Sequence, residues 1–241
     1  MHHSESALLD CKALPKIELH AHLTGSIGRQ CLHEIWLTKR AAGETDLQDP
    51  LIEMPAGKFD YDLKTFFPLF SSYIYNLVND AAALRYATLS VLRDFAADGV
   101  VYLELRTTPR AMPAAGLTEA GPSQAARVLA LAKQFLGRGV VGLDLCGDPA
   151  APLDPALPAV LDEARRVPGL GLTLHFAEAP CSAGAAELDA LLACRPDRLG
   201  HVICVSERVR REILSRPGIG LELCLSCNVH AGMICGGFEA Q

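Results

Sequence analysis

Two histidines two residues apart end an apolar, extended-looking segment, Pro15-Lys16-Ile17-Glu18-Leu19-His20-Ala21-His22-Leu23. Alternate residues of a strand face the same side, so His20 and His22 can offer their imidazole nitrogens to one metal ion. Two more histidines close apolar runs downstream, His175 in Leu172-Thr173-Leu174-His175-Phe176-Ala177-Glu178 and His201 in Arg198-Leu199-Gly200-His201. Three neutral imidazoles with an acid or a water make a Zn²⁺ ligand set, and bound Zn²⁺ brings the pKa of its water down to about 7. Glu178 follows His175 by three residues, near enough to move a proton between such a water and a substrate. The competing reading of Glu178 is a helix-start carboxylate favoured by the helix dipole.

These side chains need a scaffold that brings distant segments together. Strands are expected at about 16–22, 100–106, 139–145, 170–176, 198–203 and 218–225, each followed by polar or helical sequence. Gly139-Val140-Val141-Gly142-Leu143-Asp144-Leu145 is apolar on both faces, as in a parallel sheet covered by helices. Helical patterns cover 65–75, 81–97 with a stop at Gly99, and 123–136 with Ser123 as N-cap. His22, Arg106, Gly147, His175, Glu178 and His201 all fall at or just past the C-terminal ends of expected strands. Parallel α/β sheets and (β/α)8 barrels build their active sites there.

With 241 residues, half of them hydrophobic, the chain can bury a large core as one α/β domain over 1–241. No apolar run is long enough to span a bilayer, and the first residues lack the basic and apolar regions of a secretion signal. A net charge of -6 without a cluster of basic residues argues against a nucleic-acid surface, and Arg208, Arg210 and Arg211 are expected on the solvated side of a helix. Nine cysteines, mostly inside apolar segments, read as buried thiols of a reducing cytosol. The Cys224, Cys227, His230 and Cys235 set has only partial zinc-knuckle spacing, because Cys224 is expected inside a strand. Trp36 with Phe66, Phe67, Phe70 and Tyr73 reads as core or pocket lid.

Six segments stand in the order found in adenosine deaminases. They are 14–26 around His20 and His22, 99–110 ending Arg106-Thr107-Thr108-Pro109-Arg110, Gly142-Leu143-Asp144-Leu145-Cys146-Gly147, His175-Phe176-Ala177-Glu178, Arg198-Leu199-Gly200-His201, and Leu221-Glu222-Leu223-Cys224-Leu225-Ser226-Cys227-Asn228. From about residue 14 to 229 the chain resembles that superfamily, and within it the adenosine deaminase-like branch of N6-methyl-AMP deaminases. The resemblance implies a metal-dependent (β/α)8 TIM-type barrel, incomplete here, with about six of eight strands and the third and eighth missing. It implies His20, His22 and His175 as zinc ligands, one Zn²⁺ per chain, Glu178 as proton donor to the purine ring, and His201 as the group that orients or deprotonates the attacking water. His22, Thr24 and Gly147 would meet the substrate, while Thr107, Thr108, Pro109 and Arg110 would hold its 5′-phosphate. The implied reaction is N6-methyl-AMP to IMP plus methylamine, in a cytosolic monomer whose partner is a small purine nucleotide rather than nucleic acid or membrane.

Three departures accompany the resemblance. The aspartate that ends the eighth strand in relatives has no counterpart through Gln241, and the tail 230–241 is atypical. A strand and helix are skipped before Gly142, and Thr24 stands where relatives carry an amide or acid. Strands missing from a barrel leave ladder groups unpaired, at about 1–3 kcal/mol each when buried, against a typical net stability of about 5–15 kcal/mol. The expectation is marginal folding, weakened zinc binding and little turnover, with a catalytically inactive zinc- or nucleotide-binding isoform as the alternative. A two-metal hydrolase is the rival reading. It needs a bridging lysine or glutamate after the fourth strand, which 143–147 does not supply.

Overall fold

Strand-forming and helix-forming segments alternate along this chain, and each short apolar face is buried only by packing on another element. The computed structural model describes residues 10–58, 65, 68–109 and 124–230. In chain order these form β1 (Lys16–His22), α1 (Arg29–Ala41), α2 (Pro50–Glu53), a π-helical turn (Phe70–Ile74), α3 (Tyr75–Leu77), α4 (Ala81–Ala97) and β2 (Val100–Arg106). Then follow α5 (Gln124–Phe135), β3 (Gly142–Leu145), α6 (Leu157–Arg165), β4 (Gly171–Phe176), a 3-10 turn (Pro180–Ser182), α7 (Ala185–Ala193), β5 (Arg198–His201), α8 (Glu207–Ser215), β6 (Gly220–Glu222) and α9 (Leu225–His230). Two compact units emerge, Met1–Gly57 with Phe70–Thr107, and Lys58–Leu69 with Thr108–Gln241.

In the first unit β1 and β2 pair in parallel. Cys31, Leu32, Ile35 and Lys39 recur on one face of α1, and Ala83, Ala87 and Val91 on one face of α4, so both helices bury a stripe. Leu32, Leu77, Ala87 and Val91 are the dry centre of that core. Asp80 caps α4 by accepting from the Ala83 N–H at 2.8 Å and also meets the buried Lys39 ammonium. Gly99 ends the helix at φ +83°, where a Cβ would lie 2.4 Å from the Lys12 carbonyl oxygen, so only glycine fits. Trp36 donates to the Leu47 carbonyl at 2.8 Å and packs against this core.

In the second unit β3, β4, β5 and β6 lie side by side in sequence order, all parallel. Leu172, Leu174 and Phe176 point from β4 into a core with Leu188, Leu191 and Leu192 of α7, Leu199 of β5, and Val209 and Ile213 of α8. Period two then puts Thr173 and His175 on the other face of β4. Arg208, Arg210 and Arg211 lie on the exposed side of α8.

Several boundaries differ from those read in the sequence. The third strand begins at Gly142, not 139, because Gly139 takes φ +106° and only an isolated bridge joins Leu136 to Val140. The fifth ends at His201, since His201 and Val202 adopt φ 66° and 57° and leave strand geometry. The sixth ends at Glu222, so Cys224 lies beyond the strand. The 65–75 helix is broken by the π-helical turn at Phe70–Ile74. Of the eight described cysteines only Cys31 is buried, while Cys11, Cys181 and Cys227 are exposed, which corrects the buried-thiol reading. Ser123, Phe66, Phe67, Arg110, Cys235 and the His230 side chain lie outside the described residues. No described helix is long and apolar enough to cross a membrane.

Candidate active site

The first unit supplies the His-x-His pair at the end of β1. Glu18 pairs with Leu103 and Ala21 with Leu105, so β1 carries one extra residue between them, a bulge that re-aims the histidines. The imidazole rings of His20 and His22 stand 5.3 Å apart, edge to face. The Glu18 carboxylate accepts the His20 backbone N–H at 2.7 Å. Arg106, opposite His22 on β2, donates to the Leu19 carbonyl at 2.8 Å and to His20 Nδ1 at 3.1 Å. A guanidinium cannot accept, so Nδ1 is the acceptor in that contact. Past the strand, the Ser26 hydroxyl donates to the His22 carbonyl at 2.8 Å, and Thr24 is half-buried beside it in sequence.

The second unit gathers His175, Glu178 and His201. On β3, the Asp144 carboxylate accepts from His175 Nδ1 at 3.2 Å, which fixes the proton on Nδ1 and leaves the Nε2 lone pair to face a ligand. Both side chains are only 12% exposed, so little water competes for that contact. One turn past β4, Ala177 takes φ 48° and Glu178 is buried. Burial pushes the Glu178 carboxyl up; His175 opposes that shift, while Asp144 and Asp148 add to it. His201, on the neighbouring strand opposite Phe176, is buried with Nδ1 3.0 Å from Asn228 Oδ1 and Nε2 3.7 Å from Glu178 Oε1. Ligand atoms of His175, Glu178 and His201 lie within 4.8 Å of one another. A buried carboxyl with a raised affinity for its proton, beside an imidazole, can serve as an acid–base couple.

Gly147 is exposed at φ +149°, and among the described residues a Cβ there would meet no atom within 4 Å. Thr107, Thr108 and Pro109 follow β2 and are exposed. Two partners of the histidines escaped the sequence reading. Asp144 carried a signal, an acid inside the apolar strand Gly142-Leu143-Asp144-Leu145. Asn228 closes one of the six resembling segments, but nothing in the sequence pairs it with His201, 27 residues away.

Comparison with known proteins now bears on this arrangement. The adenosine deaminase family matches residues 15–126. N6-Methyl-AMP deaminase-L of Xenopus laevis is 33% identical over 261 residues, covering 93% of this chain and 73% of that protein. The chain belongs to the adenosine deaminase family. The crystal structure of Arabidopsis N6-mAMP deaminase MAPDA matches with a TM-score of 0.80 at 28% identity, covering 94% of this chain and 76% of that one. Arabidopsis ADAL complexed with IMP matches with the same TM-score at 29% identity, covering 93% and 75%. Membership makes the chain a deaminase-type hydrolase of a generally metal-dependent family. Its fold is the α/β architecture of the adenosine deaminase barrel, with six parallel strands among the described residues in two open sheets.

Proposed function

We propose that the chain carries out zinc-dependent hydrolytic deamination of a purine nucleotide, N6-methyl-AMP to IMP plus methylamine. The observation that carries this reading is the buried couple of Glu178 and His201 beside His175. Relatives named N6-methyl-AMP deaminase, and a relative whose structure holds IMP, support the substrate class.

His20, His22 and His175 would hold one Zn²⁺ per chain within a single 1–241 deaminase domain. The donor chemistry fits: imidazole nitrogens suit zinc, and the carboxylate–histidine pair of Asp144 and His175 is the usual outer support of such a ligand. When bound, Zn²⁺ supplies a Lewis acid that makes a hydrolytic water acidic enough to react near neutral pH. The remaining work falls to side chains. Glu178, whose affinity for a proton burial raises, donates to a ring nitrogen of the purine so that C6 accepts the incoming oxygen. His201, with Nδ1 committed to Asn228, takes the water proton at Nε2. His22, Thr24 and Gly147 would line the base, and Thr107, Thr108, Pro109 and Arg110 the 5′-phosphate, where arginine can donate two charge-assisted hydrogen bonds. We place this activity in the cytosol, in a monomer, with no nucleic-acid or membrane partner.

The test is metal analysis of the purified chain together with amine release from N6-methyl-AMP, AMP and adenosine. The expected result is one zinc per chain and faster release from N6-methyl-AMP than from adenosine. Zinc and nucleotide binding without amine release would replace the enzyme by an inactive binding form. Failure to bind zinc would overturn the ligand set.

A further inference from the structure

We infer that Asn228 is a positioning residue for the deaminase reaction: its side-chain oxygen fixes His201 in the tautomer that carries hydrogen on Nδ1 and presents a bare Nε2 toward Glu178. The role of His201 rests on the function proposed above, whereas the tautomer itself rests on geometry alone.

Four observations converge. Asn228 Oδ1 stands 3.0 Å from His201 Nδ1, and an amide oxygen only accepts, so the hydrogen sits on the ring. Both residues are buried, at 3% and 5% exposure, so bulk water offers little alternative to this bond. The ring's backbone is held independently: Val202 N–H donates to the Phe176 carbonyl at 3.0 Å and Cys204 N–H to the Ala177 carbonyl at 2.8 Å, across consecutive positive φ angles at His201 and Val202. A residue held in so uncommon a conformation signals that its direction matters. Finally, Nε2 lies 3.7 Å from Glu178 Oε1, so the nitrogen left bare faces the acid of the couple.

The choice of an amide follows from what a base needs. A carboxylate at the same place would orient the ring equally but would also favour the charged imidazolium, leaving less free base. A neutral oxygen selects which nitrogen carries the hydrogen without placing a charge beside the ring. Asn228 sits on α9, a helix whose residues are otherwise far from β5 in the chain, so tertiary packing alone creates the pair.

The experiment reads the tautomer directly in the full native chain, by long-range ¹H–¹⁵N correlation of the His201 ring at about pH 8.5, well above the ordinary histidine pKa of about 6.5. The expected pattern is a protonated Nδ1 and an unprotonated Nε2. Hydrogen on Nε2 would overturn the inference whether or not the chain is active. In Asn228→Ala the ring should move toward a mixture of tautomers, and kcat for N6-methyl-AMP should drop about tenfold or more with KM within about twofold, as expected when general-base alignment but not ground-state binding is lost. Asn228→Asp, nearly isosteric, should restore the tautomer and serves where the alanine variant folds poorly. An alanine variant that keeps the native tautomer and kcat would refute the positioning role. A native tautomer in a chain that deaminates no purine would sink the proposed function while leaving the Asn228 assignment standing.

Discussion

Replacing Asp144 with alanine tests how far the protein prepares His175, the proposed metal ligand, before any metal arrives. Its carboxylate accepts from His175 Nδ1 at 3.2 Å, and both groups are 12% exposed. A hydrogen bond to a charged group contributes about 1.5–3 kcal/mol, and loss of such an outer partner of a ligating histidine costs about 10–100-fold in metal affinity. The two figures agree, since tenfold corresponds to about 1.4 kcal/mol. The contact is at the long end of the N–H···O range, which places the expected loss in the lower part, about 10- to 30-fold. Competition with a chelator of known zinc affinity measures it, with circular dichroism confirming the fold. Asp189, half-exposed and paired only with Arg208 among the contacts seen for it, provides the control substitution Asp189→Asn with no expected change. A zinc affinity within about threefold of native in Asp144→Ala would refute the reasoning, because His175 would then need no carboxylate to present Nε2.

Four further outcomes follow. Glu178→Gln should lower deamination by about 10²–10⁴-fold, measured as methylamine release. The same substitution should raise stability near neutral pH: burial lifts the Glu178 carboxyl in the folded state, so its contribution is present below the unfolded pKa and lost as pH rises through the folded one. Urea titrations of both proteins should therefore converge in acid and separate at pH about 7.5, with native the weaker. Leu174, fully buried at the centre of the second core, should lose about 2–5 kcal/mol on substitution by alanine, read from denaturant unfolding followed by tryptophan-independent far-UV signal. Removing zinc with a chelator should lower the thermal midpoint, since a ligand at 100 times its Kd adds about 2.7 kcal/mol to the folded state; an unchanged midpoint would argue against a bound ion.

The sequence by itself determined the local elements and the identity of the chemical groups. β1 and β2 run over the residues their apolar patterns marked, and α4 begins after Asp80 and stops before Gly99, because capping and glycine geometry act within a few residues. Histidines at strand ends were legible for the same reason: the period-two pattern tells where a strand stops and which way its last side chains face. Tertiary structure decided the rest. The bulge between Glu18 and Ala21 depends on the register with β2, and the early end of β5 on the turn at His201 and Val202, neither of which is encoded in a hydrophobic pattern. The partners that set each imidazole's working nitrogen, Asp144 for His175 and Asn228 for His201, come from segments 31 and 27 residues away. A side chain's type fixes what chemistry it can do, but its tautomer and its affinity for a proton are set by neighbours, and only the packed chain supplies those.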